Sequence, residues 1–297
     1  METGSVHTGT GGQAAFGYVV AGFPLWRPLR IVVRLIGALV WLVACYLASC
    51  FASLVMLAST EKGVRLRRRV SLAWVNGMRA LVGVRVCRVG VPPVHPYFLV
   101  TNHLSWQDFF ALVCSVDATI VVQAADETIP VVGRLMKGIR VIPAPLRGQD
   151  PARCVAEMVR ALAAGDSLVM APEGIVGPGR EVRTFHPELL EAAVQAGCPV
   201  HFLSFNYRTP PGCPPPSKVA LFGPDPYCRD ADGRIPASEI EAWGPERSFF
   251  VHLLGVLALP WHEITVRFGD TPISGTDRFT LARDLQNAVQ GIFTPVK

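Results

Sequence analysis

From residue 35 to residue 60 the chain carries no charged side chain. Those 26 residues include Leu39, Val40, Trp41, Leu42, Leu47, Phe51, Leu54, Val55, Met56 and Leu57. As one helix the stretch would reach about 39 Å, enough to cross a hydrocarbon core of ~30 Å with tilt. It therefore predicts a membrane helix, with a hairpin that only dips into the bilayer as the alternative. Residues 64–82 change pattern: Val70, Trp74, Met78 and Leu81 recur at three- and four-residue spacing, which predicts an amphipathic helix. From residue 83 onward, short β-branched or aromatic runs alternate with helical ones. Strands are predicted at 84–89, 97–101, 118–123, 139–143, 167–171, 199–206 and 263–268. Helices are predicted at 105–115, 130–137, 151–164, 187–196, 246–259 and 278–291. Such alternation implies an α/β domain whose sheet is mostly parallel and flanked by helices. Residues 209–217 read as a Pro-rich loop and 223–245 as an irregular excursion.

The organisation follows: residues 1–26 without fixed structure, 27–82 as membrane-anchoring helices, 83–297 as the α/β domain. The Gly-, Thr- and Ala-rich start lacks the pattern of a signal peptide. Charge sharpens the membrane reading. Only 17% of residues are charged, against about 25% in soluble domains. Arg27, Arg30 and Arg34 precede the apolar stretch; Lys62, Arg65, Arg67, Arg68 and Arg69 follow it. The richer second flank predicts that the C-terminal side is cytoplasmic, and cations there would suit lipid headgroups. A net charge of +5 fits an anionic surface or substrate. Outside residues 62–69, no basic stripe interleaved with aromatics points to nucleic acid. The eight cysteines form no C-x-x-C pair, which argues against a zinc site or a disulfide framework.

The candidate chemistry follows the strand at 97–101. Asn102-His103-Leu104-Ser105-Trp106-Gln107-Asp108 lies where reactions in open α/β sheets tend to sit, beyond a strand's carboxyl end. His103 and Asp108 would lie about 140° apart on one regular helix. They can meet if the helix starts after the histidine, with Ser105 as its N-cap. A histidine backed by a carboxylate is a general-base arrangement. No G-x-S-x-G nucleophile is present, so the base would act on an acceptor alcohol directly. A purely structural His103–Asp108 pair is the alternative. A second segment, Pro172-Glu173-Gly174, also follows a predicted strand. Glu173 could orient the acceptor, and backbone N–H groups near Gly174 could help hold an oxyanion; a simple turn is the alternative.

NHLSWQD followed by APEG some 65 residues later resembles the lysophospholipid acyltransferase family, that of bacterial 1-acylglycerol-3-phosphate acyltransferases. Thr184-Phe185-His186-Pro187-Glu188-Leu189-Leu190 and Ala196-Gly197-Cys198-Pro199-Val200 extend the likeness, which covers roughly residues 65–290. The resemblance implies an α/β fold behind membrane-embedded helices. It implies an O-acyltransferase of phospholipid biosynthesis, on the cytoplasmic face of a bacterial inner membrane. The donor would be an acyl thioester on coenzyme A or acyl carrier protein, the acceptor a membrane lysolipid, and no cofactor or metal would be needed. His103 would be the base, Asp108 its partner, and Glu173 and Gly174 part of the acceptor block. The family's phosphate-contacting arginines are missing: Gly138 is followed six residues on by Ala144, and Pro172-Glu173-Gly174 by Ile175-Val176. Arg140, Arg147, Arg180 and Arg183 are the candidate substitutes. Three alternatives stay open: an acceptor without phosphate such as a lyso-ornithine lipid, a catalytically silent lipid-binding relative, and a hydrolase using water.

His186 and His201 read as packing or core residues. His262-Glu263 reads as the start of a strand, Asp126-Glu127 as a solvated turn, and Asp277-Arg278 as a helix start.

Overall fold

The computed structural model describes residues 26–123, 130–145, 149–222 and 248–296. The expectations for residues 1–25, Asp126-Glu127, Arg147 and 223–247 lie outside them. Two long helices come first: α1 (Trp26–Ala58) and α2 (Thr60–Val82). α1 starts nine residues before the uncharged stretch, so Arg27, Arg30 and Arg34 belong to its first turns rather than to a flank. The two helices pack as a hairpin. Cys45, Ser49 and Ala52 form the buried stripe of α1, at three- and four-residue spacing. Glycines allow the close approach: a Cβ on Gly63 would come within 2.6 Å of the Met56 main chain, and one on Gly77 would strike the Trp41 indole at 2.0 Å. Of the predicted amphipathic face, Trp74 is buried and Val70 and Met78 are half-buried. Ser71, Val75 and Val82 complete that face.

A seven-stranded sheet follows: β1 (Val84–Val89), β2 (Phe98–Thr101), β3 (Thr119–Gln123), β4 (Val141–Ala144), β5 (Leu168–Met170), β6 (Val200–Arg208) and β7 (His262–Phe268), in the order β1-β7-β6-β2-β5-β3-β4. Strands β6, β2, β5, β3 and β4 run parallel; β7 is antiparallel to β6 and parallel to β1. The seven predicted strands are all present, and the sheet is mostly parallel as expected. β2 sits centrally between β6 and β5, so Phe98, Leu99 and Val100 are fully buried. That explains their unbroken apolar run, since a strand covered on both faces need not alternate. β4 is an edge, which is where Pro143 costs no ladder bond.

The helices are α3 (Asp108–Ser115), α4 (Pro130–Met136), α5 (Ala152–Ala163), α6 (Glu191–Ala196, after a 3₁₀ turn at Glu188–Leu190), α7 (Pro216–Val219), α8 (Phe249–Ala258) and α9 (Arg278–Ile292). Asp277 caps α9 by accepting from the Thr280 N–H at 2.7 Å, so the expected helix start is real. α8 ties the hairpin to the domain. Arg30 Nη1 donates to Ala258 O at 2.8 Å; Arg34 donates to Leu257 O, Leu259 O and Pro260 O at 2.9, 2.6 and 2.9 Å. These carbonyls lie at a helix C-terminus, where acceptors lack intrahelical partners and cations are favoured.

Candidate active site

The site is built at the carboxyl end of β2. Asn102 stops the ladder there: its Oδ1 accepts from Phe205 N at 2.7 Å and its Nδ2 donates to Phe205 O at 3.3 Å. The chain then turns through residues 103–107, and α3 opens at Asp108. His103 Nδ1 lies 2.9 Å from Asp108 Oδ2. The two side chains that helical spacing would have separated thus meet across the turn. Asp108 Oδ2 also accepts from Leu104 N at 2.7 Å and Ser105 N at 3.0 Å, and Tyr207 donates its hydroxyl to Oδ1 at 2.6 Å. An ionised carboxylate only accepts, so Nδ1 of His103 carries the hydrogen and Nε2 is the basic nitrogen. Asp108 is 2% exposed, whereas the His103 side chain keeps 31%. The imidazole is open to the surface, and the carboxylate that orients it is not.

Ser105 is not the N-cap. Its hydroxyl donates to Ala220 O at 3.1 Å, and Gln107 occupies the cap position without a capping bond. Asp108, the first helical residue, reaches back instead and pins the turn by accepting from residues 104 and 105. Beneath the turn, Gln107 Nε2 donates to Ala220 O at 2.9 Å and Gln107 Oε1 meets His262 Nε2. Burial, with Arg34 adding to it, pushes the His262 imidazole down to about 4, so the ring is neutral at neutral pH. His262 does begin β7, as expected.

The loop after β5 holds the main chain of His103 at both of its polar groups. Glu173 Oε2 accepts from His103 N at 3.2 Å, and Gly177 N donates to His103 O at 2.6 Å. Glu173 Oε1 accepts from Arg183 N at 3.1 Å. Both oxygens of Glu173 are thereby committed to backbone, and the residue is 2% exposed. It is placed to clamp the main chain around His103. Burial pushes its carboxyl well above the usual carboxylate range, against the pull of the two N–H donors and Arg183; Asp108 adds to the rise. Gly174 N donates to Ala171 O at 3.2 Å, so this N–H closes a turn and is not free for an oxyanion.

Arg140 is a correction. It precedes β4, at the amino end of the parallel strands, and pairs with Asp117 and Asp166 at 2.8 Å each. Both aspartates also precede strands, so the cluster sits at the opposite end of the sheet from His103. Arg180 is exposed, while Arg183 stands beside Glu173 and Gly177. Sequence reasoning did not find Tyr207, Gln107 or the clamp of Gly177. The strand was expected to stop at residue 206, one short of the tyrosine, and nothing local marks a residue 99 positions away as Asp108's partner.

Comparison with known proteins gives the class. Residues 86–205 match the family model described as Acyltransferase. The chain is 27% identical over 226 residues to a lyso-ornithine lipid O-acyltransferase of Pseudomonas aeruginosa, covering 76% of this chain and 78% of that protein. It is 26% identical over 241 residues to a lyso-ornithine lipid O-acyltransferase of Brucella abortus, covering 76% and 82%. Among solved structures it resembles the 1-acyl-sn-glycerophosphate acyltransferase PlsC of Thermotoga maritima, with TM-score 0.56 and 16% identity over 90% of this chain and 97% of that one. The last likeness concerns the fold alone. The chain is thus an acyltransferase. More narrowly, these likenesses indicate an O-acyltransferase similar to the lysophospholipid acyltransferases.

Proposed function

We propose that the chain transfers an acyl group from a thioester donor, coenzyme A or acyl carrier protein, to the hydroxyl of a lyso-ornithine lipid at a membrane surface. His103 Nε2 takes the hydroxyl proton while Asp108 steadies the imidazolium through Nδ1. The acceptor oxygen attacks the thioester carbonyl, a tetrahedral oxyanion forms, and the C–S bond breaks. The thiolate takes the proton back from His103, and no acyl-enzyme is needed. The observation that carries this reading is the 2.9 Å His103–Asp108 pair, open on the histidine side and sealed on the other.

The head group is argued from what stands in place of arginine. Phosphate is held best by bidentate guanidinium contacts. Ala144 is 8% exposed at the carboxyl end of β4 and offers only a methyl group, Ile175 and Val176 offer none either, and Arg140 is engaged at the far end. An ornithine head has no phosphate to bind, and both curated relatives act on lyso-ornithine lipid by name.

The membrane contact is α1. Leu39, Val40, Leu47, Phe51, Leu54 and Leu57 are all exposed, while α2 lies along the same helix with Glu61, Lys62, Arg65 and Arg69 in solvent. Carrying those charges through a bilayer centre would cost about 2.5–3.5 kcal/mol each for the cations. A hairpin lying in the interface, α1 inward and the cations of α2 among headgroups, avoids that cost. The cytoplasmic side of a bacterial inner membrane, where soluble thioesters are available, suits this arrangement.

The test is a screen of the purified chain with lyso-ornithine lipid and 1-acylglycerol-3-phosphate against acyl-CoA and acyl carrier protein donors, read by mass spectrometry. Lyso-ornithine lipid is expected to be used at least about tenfold better. Equal or better use of the phosphate lipid would sink the head-group assignment. Release of free fatty acid alone would make the enzyme a hydrolase.

A further inference from the structure

Tyr207 stands one residue before the end of β6 and is 6% exposed. It is the only side-chain donor among the described residues to the outer oxygen of Asp108. The two oxygens of that carboxylate have different partners. Oδ2 serves the turn and the base, accepting from Leu104 N, Ser105 N and His103 Nδ1. Oδ1 serves Tyr207, alone among the described residues, at 2.6 Å. We infer that Tyr207 is a positioning residue for acyl transfer, fixing the rotation of the Asp108 carboxylate and moderating its charge so that Oδ2 stays on His103 Nδ1. This rests on the catalytic reading of His103 given above.

Without the hydroxyl, a carboxylate oxygen would be buried with no donor. The carboxylate must then turn towards other donors or carry more charge against the imidazole. Either response reaches His103 through the one bond that orients it. Burial, and then the Asp108 charge, hold the phenol well above its ordinary 10, so it remains a donor throughout the working range. The ionisable groups around Asp108 come from four elements. They are His103 on the turn, Glu173 and Arg183 on the loop after β5, Tyr207 on β6, and His262 on β7 behind Gln107. Only Tyr207 can be altered by one atom without changing the net charge of that set.

The test uses the full chain in detergent micelles, with Tyr207→Phe and with 3-fluorotyrosine placed at 207. Removing the hydroxyl leaves Asp108 more negative, which favours imidazolium. In Y207F kcat is expected to fall about tenfold, with KM for lysolipid and donor unchanged. The acidic limb of its kcat/KM profile and the NMR titration of the His103 ring both move to higher pH. Fluorine makes the phenol a stronger donor, so both move the opposite way in that variant. A lowered thermal midpoint in Y207F, with a profile and a His103 titration superimposable on the parent, would make Tyr207 mere packing and overturn the inference. If Y207F does not fold, the fluorinated protein decides alone: an unmoved His103 titration overturns it. If the parent chain transfers nothing, the catalytic reading fails, while the His103 titration still decides whether Tyr207 acts on that ring.

Discussion

The two ends of one sheet hold the same kinds of side chain and use them differently. At the amino end, Arg140 bridges Asp117 and Asp166, and Arg68 reaches Asp117 as well. All four members reach solvent, from 37% for the Asp166 side chain to 68% for Asp117. Burial pushes Asp117 up, but Arg68 and Arg140 outweigh it and hold its carboxyl below the usual range. At the carboxyl end, Asp108 and Glu173 are sealed in. Their partners are N–H groups, an imidazole and a phenol. Exposed ion pairs tie strands together and contribute little, about 0–1 kcal/mol each. Buried carboxylates bound by dipoles fix geometry, and removing one leaves its donors unsatisfied. The difference marks the carboxyl end as the place where position matters to chemistry.

Four experiments break or sharpen this contrast. Asp108→Asn has the largest effect: an amide among four donors brings its own N–H groups against them and no longer selects the Nδ1–H tautomer. kcat falls about a thousandfold, by steady-state assay, with the fold retained by circular dichroism. Glu173→Ala strands two part-buried main-chain N–H groups, at His103 and Arg183, and lowers stability by about 3 kcal/mol in denaturant titration.

His262 gives a pH dependence. Its folded value, about 4, lies below the ordinary 6.5, so the unfolded chain takes up that proton first. Stability from this residue is intact above 6.5 and is lost as pH falls towards 4, by about 3 kcal/mol over the full span. Glu173 has the opposite sign, because its raised carboxyl favours the folded state as pH falls. The difference between parent and His262→Gln unfolding curves from pH 7 to 4 isolates the histidine. Arg140→Ala has the smallest effect. It leaves kcat and KM within twofold and lowers stability by about 1 kcal/mol or less. A large rise in the lysolipid KM would return Arg140 to the substrate site.

The sequence made the architecture legible because burial writes a strong pattern. The runs at Phe98–Thr101 and Leu168–Met170 are buried throughout, and all but Thr101 apolar, because their strands are covered on both faces. The reversal of β7 beside β6 was not legible: His262–Phe268 alternates in burial, and alternation says nothing of direction. At the site, local spacing found His103 and Asp108, since only a turn separates them. It misplaced Arg140, because a residue just before a short strand can belong to either end until the strand's limits are known. It missed Tyr207 and the Gly177 contact because both depend on β6 and the loop after β5 folding back on residue 103. Ser105 looked like a cap by type, but its hydroxyl donates to Ala220 O, a partner 115 residues away that no local pattern reveals.

The most direct measurement is the initial rate of acyl transfer from a labelled thioester to lysolipid by purified His103→Ala, beside the parent protein. Loss of the imidazole should slow transfer by about a hundredfold or more while leaving the unfolding midpoint nearly unchanged, since the ring is partly exposed. Transfer at the parental rate would contradict the account, because His103 is the imidazole that Asp108 orients towards the surface.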